Sequence, residues 1–161
     1  FIKNEARELW VIGTALIVLA IFLYLAERLS QRNRDIKQLS FLQIQLIGLT
    51  QALALIPGCS RSGSTIMGGL MVGLNREAAA RFSFLLGLPA IFGSGLYELK
   101  ELIELGTNSD GYLNLAIGIA AAFVTGYLSI ELLLRFLRNH GTLVFVIYRI
   151  VLGTGILLFL V

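Results

Sequence analysis

A chain of 161 residues that is 57% hydrophobic and 14% charged, with mean hydropathy +0.82, is too apolar for a water-soluble globule or a disordered segment. Its single cysteine, Cys59, excludes an internal disulfide framework. The net charge of +3 comes without a basic stripe carrying interleaved aromatics, which argues against nucleic acid as a partner.

In chain order, the first predicted element is a transmembrane helix over residues 9–26, where the 18-residue window Leu9–Ala26 holds no charge. Residues 41–75 are apolar but broken at Pro57-Gly58, so neither flank is long enough to cross a bilayer. They predict a re-entrant helix hairpin with a polar turn near mid-membrane, a geometry tolerated only inside protein or beside a water-filled cavity. Two short soluble-type core helices are the alternative. A third segment, 82–97, is slightly short for a span and carries Pro89, a predicted kink. The fourth, 111–136, contains the uncharged window Gly111–Ile130. Its Gly118, Ala122 and Gly126 form a small-residue ladder suited to close helix contact, with a homodimer as one arrangement that would cover it. The last span, 143–161, is interrupted by Arg149.

If the hairpin returns to its own side, one face carries Arg28, Arg32, Arg34, Lys37, Arg76, Arg81, Arg135 and Arg138, and the other Lys3, Arg7 and Lys100. The positive-inside rule then puts the first face in the cytoplasm and a Glu98–Asp110 loop outside. The chain begins with Phe1, shows no secretory signal pattern, and reads as a piece of something longer.

Two arginines, Arg61 and Arg149, fall at membrane depth, where an unpaired charge costs at least ~2.5–3.5 kcal/mol. No acid in 41–75 can neutralise Arg61, so an anion from outside the chain is the expected partner. Around Arg61 stand Ser60, Ser62, Ser64 and Thr65, with Gly58 and Gly63 allowing a tight turn; Thr65 is a predicted cap of the helix that follows. Guanidinium, hydroxyls, exposed amides and a helix N-terminus are the parts of a phosphate cradle. The alternatives are a polar hinge with Arg61 on backbone carbonyls, and for Arg149 a structural bond to a carbonyl. Exposed His140, beside Gly141, reads as a loop residue.

The run Pro57-Gly58-Cys59-Ser60-Arg61-Ser62-Gly63-Ser64-Thr65 closely resembles the Pro-Gly-x-Ser-Arg-Ser-x-x-Thr signature of the undecaprenyl-diphosphate phosphatase family, bacterial membrane enzymes linked to bacitracin resistance. The segment Arg81–Pro89 and the pair Tyr148-Arg149 resemble that family too. The resemblance implies an all-α integral membrane fold, half of an inverted repeat whose hairpin tips meet in mid-membrane. It implies hydrolysis of undecaprenyl diphosphate to undecaprenyl phosphate and inorganic phosphate, recycling the cell-wall lipid carrier in the bacterial cytoplasmic membrane. A divalent cation, Mg²⁺ or Ca²⁺, is implied by the family and not by any ligand cluster in this sequence. On this reading Arg61 and Ser60 are the candidate catalytic residues. Gly58, Ser60, Arg61, Ser62, Gly63, Thr65, Arg149 and Gln51 are the candidate substrate contacts. The family's first repeat, with Glu-x-x-x-Glu and Ser-Ser-Thr-Gly-His segments, does not occur in this sequence, and Gln51 stands where that repeat has a glutamate. The expectation is a phosphate-binding half, inactive alone, whose partner is an N-terminal repeat of the same protein. A membrane carrier for lipid phosphate or small anions is the main competing function, and a non-catalytic membrane subunit the third.

Overall fold

The computed structural model describes residues 8–104 and 109–160. Six helices follow in order: α1 (Leu9–Leu29), α2 (Phe41–Gln51), α3 (Arg61–Met71), α4 (Arg76–Glu104), α5 (Ser109–Asn139) and α6 (Leu143–Phe159). Short 3-10 turns at Ile36–Gln38 and Ala52–Leu55 precede and follow α2. The protein is all-α, and α1, α4 and the Gly111–Asn139 part of α5 are long and apolar enough to cross a membrane. At 17 residues, α6 is shorter.

Local chemistry explains the break. Ser40 and Gln43 form a capping box that starts α2: the Gln43 amide donates to Ser40 Oγ at 3.4 Å and the Ser40 amide to Gln43 Oε1 at 3.0 Å. Past the 3-10 turn, Ile56 is extended, as a residue preceding proline prefers. Gly58 then turns the chain at φ +92°, and a Cβ there would lie 2.6 Å from the Ile12 carbonyl oxygen, so both its backbone angle and its contact with α1 require glycine. The far end of α3 closes on Gly73 at φ +96°, with the Leu74 amide donating to the Gly69 carbonyl at 3.0 Å in a Schellman-type stop.

The segment carrying α2 and α3 starts and ends at the same end of the bundle. The Arg34 amide donates to the Gly73 carbonyl at 3.1 Å, and the Asn75 amide to the Arg34 carbonyl at 2.9 Å. At that end Glu27 of α1 is 7% exposed and joins three elements. It accepts from Arg76 Nε at 2.5 Å, from the Thr142 amide at 2.9 Å and from the Thr142 hydroxyl. Glu77 of α4 accepts from Arg138 of α5 at 2.8 and 2.9 Å.

Small residues let the helices approach closely. Between α3 and α4, Arg61 lies on Gly87, Thr65 bonds Ser83, and Gly69 meets Ala79. Each step is four residues along both helices, running in opposite directions. Across α1 and α6, Gly13 and Gly153 bring the backbones together, a Cβ on Gly153 lying 2.8 Å from the Gly13 carbonyl oxygen. The buried core, with Leu19, Leu23, Ile47, Met67, Leu70, Ala79 and Val146, is drawn from α1, α2, α3, α4 and α6.

Some predicted boundaries shift. Helix α4 begins six residues before Phe82 and continues through Glu104, so most of the expected Glu98–Asp110 loop is helix. A helix need not end where the hydrocarbon does, and Arg76, Glu77 and Arg81 find partners on its first turns. Pro89 lies inside this helix. Lys3, Arg7 and Val161 lie outside the described residues.

Candidate functional site

The polar turn prepares the start of α3. Ser60 is its N-cap, with Oγ accepting from the Gly63 amide at 3.1 Å and lying 3.2 Å from Ser62 Oγ. This corrects the expectation that Thr65 caps the helix. The helix starts at Arg61, which leaves Thr65 in its second turn, 1% exposed and bonded to Ser83. Its hydroxyl also meets the Arg61 and Ser62 carbonyls, at 3.0 and 3.1 Å. Thr65 therefore ties α3 to α4 and does not face the turn's open side.

Arg149 reaches the turn from α6. Only 8% exposed, it donates from Nη2 to the Gly58 carbonyl at 2.8 Å. Its Nη1 lies 2.9 Å from where a Gly63 Cβ would be, and its buried Nε has no hydrogen-bond partner among the described residues. The carbonyl bond weighed for this residue is present, and it uses only part of the guanidinium. No ion pair joins Arg61 or Arg149 to a carboxylate among the described residues.

A cavity of about 500 Å³ opens beside the turn. Gly58, Ser60, Ser62, Gly63 and Arg149 line its polar end; Leu16, Leu23, Leu133, Phe145 and Tyr148 line its apolar walls. Rising along α4 from Arg76, the eleven residues to Gly87 span ~16 Å; from Thr142 to Arg149 is ~10 Å. The turn thus lies well inside the bundle, away from the charged end.

The candidate residues divide over two faces of α3. Gly58, Ser60, Ser62, Gly63 and Arg149 meet at the cavity. Arg61 points the other way: its Nη2 lies 2.8 Å from where a Gly87 Cβ would be, and its guanidinium forms no hydrogen bond among the described residues. The hinge reading with Arg61 on backbone carbonyls therefore does not hold. Gln51 is not among the cavity's lining residues, and its buried Oε1 has no hydrogen-bond partner among the described residues. Sequence reasoning gave no role to Gly87 and Ser83, although both fall in the Arg81–Pro89 segment; small residues at four-residue spacing were the available signal. His140 is exposed and stacks on Phe136, with ring centroids 4.7 Å apart.

The arrangement suits an anion with a long apolar tail. Capping by Ser60 occupies the Gly63 amide and leaves the Arg61 and Ser62 amides of the first turn for a ligand. Among the described residues no group of three or more His, Cys, Asp or Glu is placed to hold a metal ion. Hydroxyls, amides and a guanidinium fit an anion; they do not fit Mg²⁺ or Ca²⁺, which take carboxylate and carbonyl oxygens.

A family model described as "Bacitracin resistance protein BacA" matches residues 1–155. The chain is 49% identical over 160 residues to a Myxococcus xanthus protein named undecaprenyl-diphosphatase, covering 99% of this chain and 54% of that protein. It is 50% identical over 155 residues to one of the same name from Synechococcus elongatus, covering 96% and 54%. A third, from Chlorobium phaeobacteroides, is 48% identical over 164 residues, covering 97% and 58%. The chain thus spans a little over half the length of the curated relatives it matches.

Proposed function

Because the chain belongs to the bacitracin resistance protein BacA family, we propose that it serves the hydrolysis of undecaprenyl diphosphate to undecaprenyl phosphate and inorganic phosphate, by supplying the face that grips the phosphates. The cavity carries this reading: hydroxyls and a guanidinium at one end, aliphatic and aromatic walls at the other, match a phosphorylated isoprenoid.

In this reading the α2–α3 hairpin is re-entrant and forms one half of an inverted repeat in the bacterial cytoplasmic membrane. A phosphate enters beside Ser62 and Gly63, on the α3 N-terminus and the free part of Arg149. Arg149 thus does two things: it fixes the turn through Gly58 and offers its remaining donors to the phosphate. Arg61, held flat on Gly87, meets the headgroup from the other face of α3 and stabilises charge on the terminal phosphoryl group as it is transferred to water, with undecaprenyl phosphate as the leaving group. Phosphoryl transfer depends mainly on such positioning and electrostatics. Ser60 orients Ser62 and the first turn; among the described residues no carboxylate or imidazole bonds its hydroxyl to act as a base.

The test is phosphate release from undecaprenyl diphosphate in proteoliposomes, by the protein carrying this sequence. Release that falls about 10²–10³-fold in Arg61→Ala, with membrane insertion unchanged, supports the reading. Near-normal release by that variant refutes the role of Arg61. Movement of the lipid between leaflets without phosphate release refutes the hydrolase and favours a carrier.

A further inference from the structure

The charged end of the bundle holds a second cavity, of about 620 Å³, lined by Arg32, Asn75, Arg76, Glu77, Leu137 and Arg138 among others. Leu137, 2% exposed, also lines the cavity at the turn and stands between the two. Three arginines converge here from three elements: the segment after α1, the first residue of α4, and the last turn of α5. We propose that this cavity binds the phosphodiester headgroup of an anionic glycerophospholipid, with Arg32, Arg76 and Arg138 as its donors.

Each arginine retains unused donors. Arg76 spends Nε on Glu27, and both of its Nη groups are without hydrogen bonds among the described residues. Arg138 spends Nε and Nη2 on Glu77 and keeps Nη1. Arg32 comes no closer than 3.8 Å to Glu27 and forms no side-chain hydrogen bond among the described residues. The two glutamates therefore aim the guanidinium groups without exhausting them, and a guanidinium fork matches two phosphate oxygens.

Two further features fit a phosphate at this place. The backbone of Arg32 is at φ 51°, an unfavourable angle for a side-chain-bearing residue, held by its amide donating to Ser30 Oγ at 3.2 Å. The N-terminus of the 29-residue α4 opens here, with Asn75 Oδ1 accepting from the Ala78 amide at 2.8 Å. The setting selects a lipid. This end gathers Arg28, Arg32, Arg34, Lys37, Arg76, Arg81, Arg135 and Arg138 against only Glu27, Asp35, Glu77 and Glu131. It lies where the apolar helices end, and basic pockets between helix ends at that level take anionic headgroups. Leu29, the last residue of α1 and three before Arg32, is 82% exposed, a surface for an acyl chain.

The test is native mass spectrometry of the protein in detergent micelles, titrated with phosphatidylglycerol or phosphatidylcholine. The unaltered protein should retain phosphatidylglycerol in preference, and Arg32→Gly should weaken that retention by about fivefold. Glycine adopts the Arg32 backbone angle without strain, so this variant removes the guanidinium and spares the fold. Arg135→Gln, outside the cavity, should match the unaltered protein. Equal retention of the two lipids, unchanged retention in Arg32→Gly, or an equal loss in Arg135→Gln would overturn the proposal. Failure of millimolar inorganic phosphate to displace phosphatidylglycerol supports a lipid site. Displacement would overturn the choice of lipid and leave a site for free phosphate. None of these readouts depends on phosphatase activity.

Discussion

Arg149 and Gly58, 91 positions apart, are joined by a 2.8 Å hydrogen bond from guanidinium to carbonyl, so α6 sets the shape of the turn from which α3 grows. The remaining face of the same guanidinium borders the cavity. Replacing Arg149 therefore removes a backbone clamp and, on the proposed function, a phosphate donor with it. Arg149→Ala should lower phosphate release by about 10²–10³-fold. It should also lower stability by about 1–3 kcal/mol, because the Gly58 carbonyl loses its partner. Arg149→Lys keeps the charge without the fork and should recover part of the stability and little of the rate, as paired melting and turnover measurements would show.

Gly58 tolerates no side chain on two counts, its φ of +92° and the 2.6 Å approach to the Ile12 carbonyl. Gly58→Ala should cost about 3 kcal/mol or more and shift the turn away from α1. The check is the melting temperature of the purified protein, which should fall well below that of the unaltered sequence.

Gly87 offers a test of Arg61 that leaves the arginine in place. A methyl group there would meet Arg61 Nη2 at 2.8 Å, and the guanidinium is a flexible end that can move aside. Gly87→Ala should leave the melting temperature nearly unchanged while reducing phosphate release by about tenfold, since small displacements of an electrostatic donor are expensive in rate.

Glu27 holds the charged end together through Arg76 and Thr142. Glu27→Gln should destabilise the protein by about 2–3 kcal/mol, because a buried carboxylate is removed from a guanidinium, an amide and a hydroxyl that it satisfies. Thermal unfolding in detergent measures this, and Arg81→Gln, at an exposed arginine paired with Glu77, serves as the comparison with an expected effect under about 1 kcal/mol.

Much of the helical frame is legible in the sequence because hydropathy is a local property. The uncharged window ending at Ala26 marks α1, and Pro57-Gly58 marks the break between α2 and α3. Pairings made across long stretches of chain are not legible in the same way. Glu27 sits beside Arg28 at the end of an apolar run, and nothing local marks it as buried. Its burial depends on Thr142, 115 positions away, and Arg76, 49 positions away. The site shows the same limit at shorter range. Serines at 60, 62 and 64 and Thr65 give several plausible starts for α3, and choosing Ser60 turns Thr65 inward to Ser83. That one choice of register also sends Arg61 and Ser62 to different sides of the helix, a separation that their adjacency in sequence conceals.

The contacts 61 on 87, 65 on 83 and 69 on 79 recur at intervals of about one turn, like notches on a ruler. Sliding α3 by one notch would press the Arg61 guanidinium onto a serine and leave the Thr65 hydroxyl facing a methyl group. Inserting one residue between Arg61 and Met71 would rotate everything beyond it by about 100° and break the match altogether. Where Arg61 rests is therefore set by the sizes of three residues on the neighbouring helix, and drift at Ser83 or Ala79 would be felt one or two turns away, at the guanidinium.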